Sequence, residues 1–151
     1  MSNGEFTAAE EQLNKGKMLL REGQFTEAEQ IFRGLINNGE LAGEAWNQLG
    51  ILQIRRGADP QQAQECFLRA VAENPLNPAP YSNLGALMHE AGDLAAAEDF
   101  CRRALQLDPD YPPALHNMGV IYRKKGNIWT SVKYLKRASK AELRRNRNRK
   151  R

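Results

Sequence analysis

The chain has 151 residues, of which 41% are hydrophobic and 26% charged, a composition typical of one soluble globular domain. No stretch approaches the roughly 18 apolar residues of a membrane span, and the first residues lack a signal-peptide pattern, so we expect a cytoplasmic protein. Residues 1–122 hold nine basic and seventeen acidic side chains, whereas residues 123–151 hold thirteen basic ones and a single acid, Glu142. This asymmetry indicates an acidic partner for the C-terminal segment, or contact between the two ends of different molecules.

A unit of 34 or 35 residues recurs four times. Its first glycine is Gly16, Gly50, Gly85 and Gly119, and its second is Gly23, Gly57, Gly92 and Gly126. A small residue (Ala28, Ala63, Ala97, Ser131) precedes a bulky one by four positions (Phe32, Phe67, Cys101, Leu135). Each unit therefore predicts two antiparallel helices. Because glycine costs about 1 kcal/mol inside a helix, the first glycine predicts close packing against the bulky residue of the second helix.

Local signals place the helices of the first half. Thr7 with Glu10 is a capping-box signature and predicts a helix from about Ala8 to about Glu22. Thr26 with Glu29 repeats that signature, so we expect the second helix to start there and to end before the turn at residues 37–39. Asp59 followed by Pro60 predicts the start of the second helix of the second unit.

Prolines and like charges delimit the second half. Asn74-Pro75 and Asp108-Pro109 predict helix ends, because a residue before proline is pushed out of the helical region. Asn77-Pro78 and Pro112-Pro113 predict the next helix starts. The last helix should begin at residues 128–130, and its crowded basic end predicts fraying from about Arg145.

The unit resembles the tetratricopeptide repeat (TPR) over roughly residues 9 to 145. The matching residues are Trp46, Leu49, Gly50, Gly57, Ala63, Phe67, Ala70 and Pro75 in the second unit, and Tyr81, Leu84, Gly85, Met88, Gly92, Ala97, Cys101, Ala104 and Pro109 in the third. The resemblance implies an all-α fold, a right-handed superhelical solenoid of four stacked TPR helix-turn-helix hairpins. The implied parts are an N-terminal extension (1–8), four repeats (9–42, 43–77, 78–111 and 112–145) and a basic tail (146–151).

In a stack of helix pairs the first helices line a concave surface that can bind a partner. The residue two before the first glycine carries an amide in every unit, as Asn14, Gln48, Asn83 and Asn117. An amide can both donate to and accept from an extended peptide backbone. This series is similar to the asparagine ladder in the TPR array of the nucleocytoplasmic sugar transferase acting on serine and threonine. An intramolecular hydrogen bond to the adjacent helix is the alternative interpretation.

Further side chains on this surface complete the predicted peptide-binding set. They are Lys17, Arg21, Asn47, Ile51, Arg55, His89, His116 and Arg123. Chaperone-binding TPR proteins hold a C-terminal carboxylate with a fixed Lys, Asn and Arg set, which this chain does not reproduce, since Leu13 stands where that set begins with lysine. We therefore do not expect a chaperone tail as the ligand.

The sequence contains no motif for catalysis or for a cofactor, and we expect a non-enzymatic protein. Cys66 and Cys101 lie at or beside core positions and are expected to be buried reduced thiols. His89 and His116 could approach each other, but without a third ligand we interpret them as ordinary groove residues and predict no metal.

The basic last helix carries a second candidate site. Its members share a helix face or lie beside it: Trp129, Lys133, Lys136, Arg137, Lys140, Arg144 and Arg145. Val132, Leu135 and Ala138 are expected to face the stack. A tryptophan beside a basic row could meet nucleic acid, anionic lipid or an acidic protein, and the alternative is a solvated, solubilising face.

Three functional hypotheses follow. The first is a scaffold that binds a peptide or helix of a partner protein in the concave groove. The second is an electrostatic adaptor whose basic C-terminal helix binds nucleic acid or an anionic membrane. The third is a self-assembling oligomer, because the last repeat lacks the usual polar capping helix.

Overall fold

The computed structural model describes residues 7–150, which form helical hairpins in two compact units, Met1–Pro75 and Leu76–Arg151. Residues 1–6 of the predicted extension and Arg151 of the predicted tail lie outside the described residues. The first unit contains α1 (Ala8–Glu22), α2 (Phe25–Asn38), α3 (Ala42–Arg55) and α4 (Pro60–Glu73). The second contains α5 (Pro78–Glu90), α6 (Leu94–Leu107), α7 (Pro112–Lys124) and α8 (Ile128–Arg149). Of these helices, none is long and apolar enough to span a bilayer.

Most helix ends follow the local signals. The Thr7 hydroxyl accepts from the Glu10 amide while the Glu10 carboxylate accepts from the Thr7 amide, which confirms the capping box of α1. Asp59 accepts from the Gln61 amide at 2.9 Å and starts α4 as predicted. The prolines at the starts of α5 and α7 also lie where they were expected.

The predicted limits of α2 are wrong at both ends. The helix begins at Phe25 after Gln24, without a side-chain cap, so Thr26 lies inside it. The Glu29 carboxylate forms ion pairs with Arg33 and Arg56 instead, each at 2.8 Å. At the other end α2 continues through Asn38 and stops at Gly39, whose φ of 71° is strained for any other residue.

The helices of each hairpin approach closely where glycine removes a side chain, as predicted. A Cβ on Gly16 would stand 2.6 Å from Cε1 of Phe32, and one on Gly50 would stand 2.5 Å from Cε1 of Phe67. A Cβ on Gly85 would meet the Cys101 sulphur in the same way, and a Cβ on Gly119 would stand 2.7 Å from Cδ2 of Leu135. The four bulky residues thus fill the space that the four glycines leave open.

One ion pair links consecutive hairpins at the same register in both units. In each pair the acid directly follows the small residue in the second helix of one repeat. The base directly precedes the second glycine of the next repeat. The pairs are Glu29 with Arg56 and Glu98 with Lys125. The hydrogen bond from Lys125 is the main cause of a lowered pKa of the Glu98 carboxyl, against the opposing effect of burial. The Tyr122 hydroxyl adds a hydrogen bond to Glu98 at 2.8 Å.

The expected fraying of the last helix from Arg145 is wrong. α8 continues to Arg149, because acids in the turn before α7 offset its charge. The Arg145 guanidinium pairs with Asp108 and lies 5.4 Å from the centre of the Tyr111 ring, while Arg144 is 3.4 Å from Asp110. The basic helix is therefore anchored at Arg144 and Arg145.

Candidate peptide-binding site

The first unit has a pocket of about 510 Å³ between α1 and α3. Seven residues line it, and six of them were predicted to bind peptide: Asn14, Lys17, Arg21, Gln48, Ile51 and Arg55. The seventh is Leu20. The helices meet here because α3 packs against the first hairpin, which places the amides of two consecutive repeats in one pocket. This is the part of the predicted groove that the structure assembles.

The lining divides into three chemical types. Leu20 and Ile51 are apolar, Asn14 and Gln48 carry amides, and the other three side chains are cationic, with no carboxylate among the lining residues. Lys17 and Arg21 make no ion pair with any other residue of the range 7–150. The pocket therefore carries uncompensated positive charge beside an apolar surface, an arrangement suited to an anionic group next to an apolar one.

Arg55 has a structural role as well as a place in the lining. Its guanidinium donates to the carbonyl of Leu20 at 2.5 Å and to the carbonyl of Arg21 at 3.4 Å. These carbonyls lie in the last turn of α1, where the Leu20 carbonyl also accepts from the Gly23 amide at 3.2 Å. The cations able to turn towards a ligand are therefore Lys17 and Arg21.

Sequence reasoning missed Leu20 and misplaced Asn47. Leu20 lies four residues after the first glycine of its repeat, as His89 and Arg123 do in the third and fourth repeats. The repeat register could therefore have predicted that Leu20 lines the pocket. Asn47 is only 5% exposed and does not line the pocket, which corrects its expected place on an open surface. Its neighbour Gln48, which belongs to the same predicted set, does line the pocket.

The second unit carries the other predicted residues on α5 and α7. Asn83, His89 and Asn117 are half-buried there, and His116 and Arg123 are exposed. The Asn117 amide donates to the carbonyl of Ser82 at 3.0 Å and reaches its hydroxyl at 3.2 Å. For Asn117 the structure thus contains the intramolecular bond that was the alternative to a peptide contact.

His116 lies in a separate cavity of about 460 Å³ between α7 and α8, beside Pro113, Leu135 and Ala138. His89 is not among the residues that line this cavity. Across residues 7–150, no group of three or more His, Cys, Asp or Glu side chains is placed to hold a metal ion. The two histidines therefore do not line the same cavity.

A further cavity of about 510 Å³ lies between α1 and α2 and contains none of the predicted binding residues. Its charged side chains have mixed sign, Lys15 against Glu27 and Glu40. Since this cavity has the same volume as the α1–α3 pocket, substitutions in its lining can serve as controls for substitutions in that pocket.

Both cysteines are buried and free, as expected. Burial raises the pKa of the Cys66 thiol, and it raises the pKa of the Cys101 thiol to about 12. Because the thiolate is the nucleophile, these side chains act as packing groups.

Comparison with known proteins decides the family. Two family models, both described as tetratricopeptide repeat, match residues 55–112 and 88–145, together more than half of the chain. The chain belongs to the tetratricopeptide repeat family. This confirms the resemblance and the predicted all-α fold of TPR hairpins. TPR proteins are in general non-catalytic scaffolds for protein interactions.

Solved TPR structures share the fold. A crystal structure of MamA is 23% identical with a TM-score of 0.70, and the match covers 93% of this chain and 81% of that one. PilF of Pseudomonas aeruginosa is 19% identical with a TM-score of 0.78, over 89% of this chain and 61% of that one. YrrB, described as a TPR protein with an unusual peptide-binding site, is 23% identical with a TM-score of 0.66, over 90% and 70% of the two chains. A search of curated proteins found no match.

Proposed function

We propose that this protein is a non-enzymatic scaffold that binds an extended peptide of a partner protein in the α1–α3 pocket. The observation that carries the proposal is the convergence of six sequence-predicted residues on one pocket. The description of YrrB as a peptide-binding TPR protein supports the same use of the fold.

The pocket chemistry specifies the peptide. The amides of Asn14 and Gln48 pair with its backbone, since each amide can donate and accept. Leu20 and Ile51 contact an apolar side chain of the peptide, and Lys17 and Arg21 attract an acidic side chain. The expected ligand is therefore an apolar residue next to Asp or Glu in an extended segment.

In the second unit the corresponding peptide contacts fall on Asn83, His89, His116 and Arg123. Asn117 would take part through its carbonyl oxygen, because its amide nitrogen donates to Ser82. The ladder of four amides stays a hypothesis, and its sharpest test lies at Asn14 and Gln48.

The experiment uses an array of random peptides, probed with the full chain and followed by affinity measurement on the selected peptides. We expect peptides that combine an apolar residue with Asp or Glu. The double variant Asn14→Ala with Gln48→Ala removes two net hydrogen bonds of about 1 kcal/mol each, so it should weaken binding by roughly 10- to 100-fold. Lys17→Gln with Arg21→Gln should reduce the preference for acidic peptides.

The matched control is Gln12→Ala with Lys15→Gln on the same helix, which alters only the α1–α2 cavity. The control should bind the selected peptides as the wild type does. Selected peptides that bind the amide variant with unchanged affinity, while circular dichroism shows both variants folded, would remove the α1–α3 pocket from the proposal.

A further inference from the structure

The exposed face of α8 carries large apolar side chains that the fold leaves in solvent. Trp129 is 90% exposed, Leu143 60%, Ile128 56% and Val132 40%. Val132 was expected to face the stack and does not, whereas Ala138 is buried there as predicted and Leu135 is half-buried. Burial of apolar groups is favourable, so exposed apolar side chains of this size along one helix indicate an interaction surface.

Three lysines share this face with the tryptophan. At 3.6 residues per turn, Trp129, Lys133, Lys136 and Lys140 lie within about 60° of arc, and Val132 and Leu143 border the arc along one edge. Glu142, the single acid of the segment, projects about 150° away from it and lines the cavity beside Leu135. The face is thus a basic row with an apolar edge and no acid.

The lysines of the row are free to bind, unlike Arg137, Arg144 and Arg145 on the same helix. Lys133, Lys136 and Lys140 are exposed and make no ion pair within residues 7–150. By contrast, Arg144 pairs with Asp110, Arg145 pairs with Asp108, and Arg137 donates to the carbonyl of Pro109 at 3.0 Å. The structure therefore separates a free lysine row from arginines that anchor the helix.

We propose that α8 is a peripheral membrane-binding helix that lies on an anionic lipid surface. Trp129 enters the headgroup layer, the apolar edge reaches the acyl boundary, and the lysines contact lipid phosphates. The stretch from Trp129 to Leu143 measures about 21 Å, enough for a helix lying in the plane of the interface. This inference is independent of the peptide pocket, which lies on α1 and α3.

The aliphatic residues favour a membrane over nucleic acid. A tryptophan and a lysine row suit both a phosphate backbone and a lipid surface. Ile128, Val132 and Leu143 gain nothing from phosphate or sugar, but they gain hydrophobic burial at the acyl boundary.

The test measures binding of the full chain to phosphatidylcholine vesicles with and without phosphatidylserine, by co-sedimentation and by tryptophan fluorescence. We expect binding only to the anionic vesicles, with a blue shift and with quenching by brominated lipid. The second tryptophan, Trp46, lies under Arg69 at 5.1 Å in the other unit, so Trp129→Phe should abolish the shift. Trp129→Ala should weaken binding about tenfold.

Two triple variants separate the lysine row from net charge. Lys133→Gln, Lys136→Gln and Lys140→Gln together should lower affinity on the order of 100-fold. Arg103→Gln, Lys124→Gln and Arg149→Gln remove the same charge at exposed positions outside the row and should have a smaller effect. The proposal would be overturned if both triple variants lost the same affinity, or if the wild type bound neutral and anionic vesicles equally. It would also be overturned if binding caused no blue shift, or if the chain bound single-stranded RNA and not vesicles.

Discussion

The same substitution, glycine to alanine, should have opposite effects at two helical positions of the first unit. Gly50 lies in α3 against the Phe67 ring, and a Cβ there would be 2.5 Å from Cε1, 2.7 Å from Cδ1 and 3.0 Å from Cζ. Gly34 lies in α2, where a Cβ would meet nothing within 4 Å. Both glycines have helical backbones, so the difference isolates packing.

The magnitudes follow from two effects. Alanine stabilises a helix interior by about 0.8–1 kcal/mol relative to glycine, and Gly34→Ala should raise the free energy of unfolding by this amount. Gly50→Ala gains the same propensity but forces a methyl group into a fully buried ring, and overpacking costs typically about 1–3 kcal/mol. Because the Phe67 ring is fully buried, it has no open space into which it could turn away from the new methyl group. We expect a net loss of about 1–2 kcal/mol.

Urea unfolding followed by far-ultraviolet circular dichroism measures both variants against the wild type. In thermal unfolding, each 1 kcal/mol should shift Tm by about 2–4 °C for a chain of this size. If Gly50→Ala were as stable as Gly34→Ala, the close approach of the helices would not require glycine.

The other predictions concern a cap, an ion pair and the thiols. Asp59→Ala removes the acceptor for the Gln61 amide and should cost about 1 kcal/mol in urea unfolding, whereas Asp59→Asn should cost little. The pKa of Glu98 is lowered below 4.5, so its ion pair stabilises the fold fully above that pH, and this stabilisation is lost as the pH falls further. With Glu98→Gln, the free energy of unfolding should therefore fall less steeply with pH below about pH 4.5. Cys66 and Cys101 should react with a thiol reagent at about pH 8 only as fast as the protein unfolds, and rapid labelling in the native state would contradict their burial.

Sequence patterns predicted the helices well because their signals act over a few residues. The capping box of Thr7, the proline after Asp59 and the repeated glycine each determine a local backbone state. The pattern failed at Thr26, where the same letters as a capping box fall inside α2. The preceding helix ends at Gly23, with φ of 80°, and only Gln24 separates it from α2, so the chain enters the helix too early for that cap.

The surroundings of the candidate binding residues were predicted only in part, because the repeat register shows which positions share a surface but not which side chains remain available. It correctly placed Lys17 and Ile51 in one pocket. It could not show that Asn47 is buried, or that Val132 is exposed, since both depend on how neighbouring helices cover them.

The sequence by itself determined the four hairpins, the close contacts at the glycines and the family, because these rest on local backbone preferences and on a repeated spacing. The tertiary structure alone decided the use of the polar side chains. Arg55, Asn117 and Arg145 resemble free surface groups in the sequence, yet each bonds to a residue 35 to 37 positions away. A side chain buried or paired by a neighbouring repeat avoids the cost of an unmatched polar group, and those left unpaired, such as Lys17, Arg21 and the lysine row of α8, are available to a ligand.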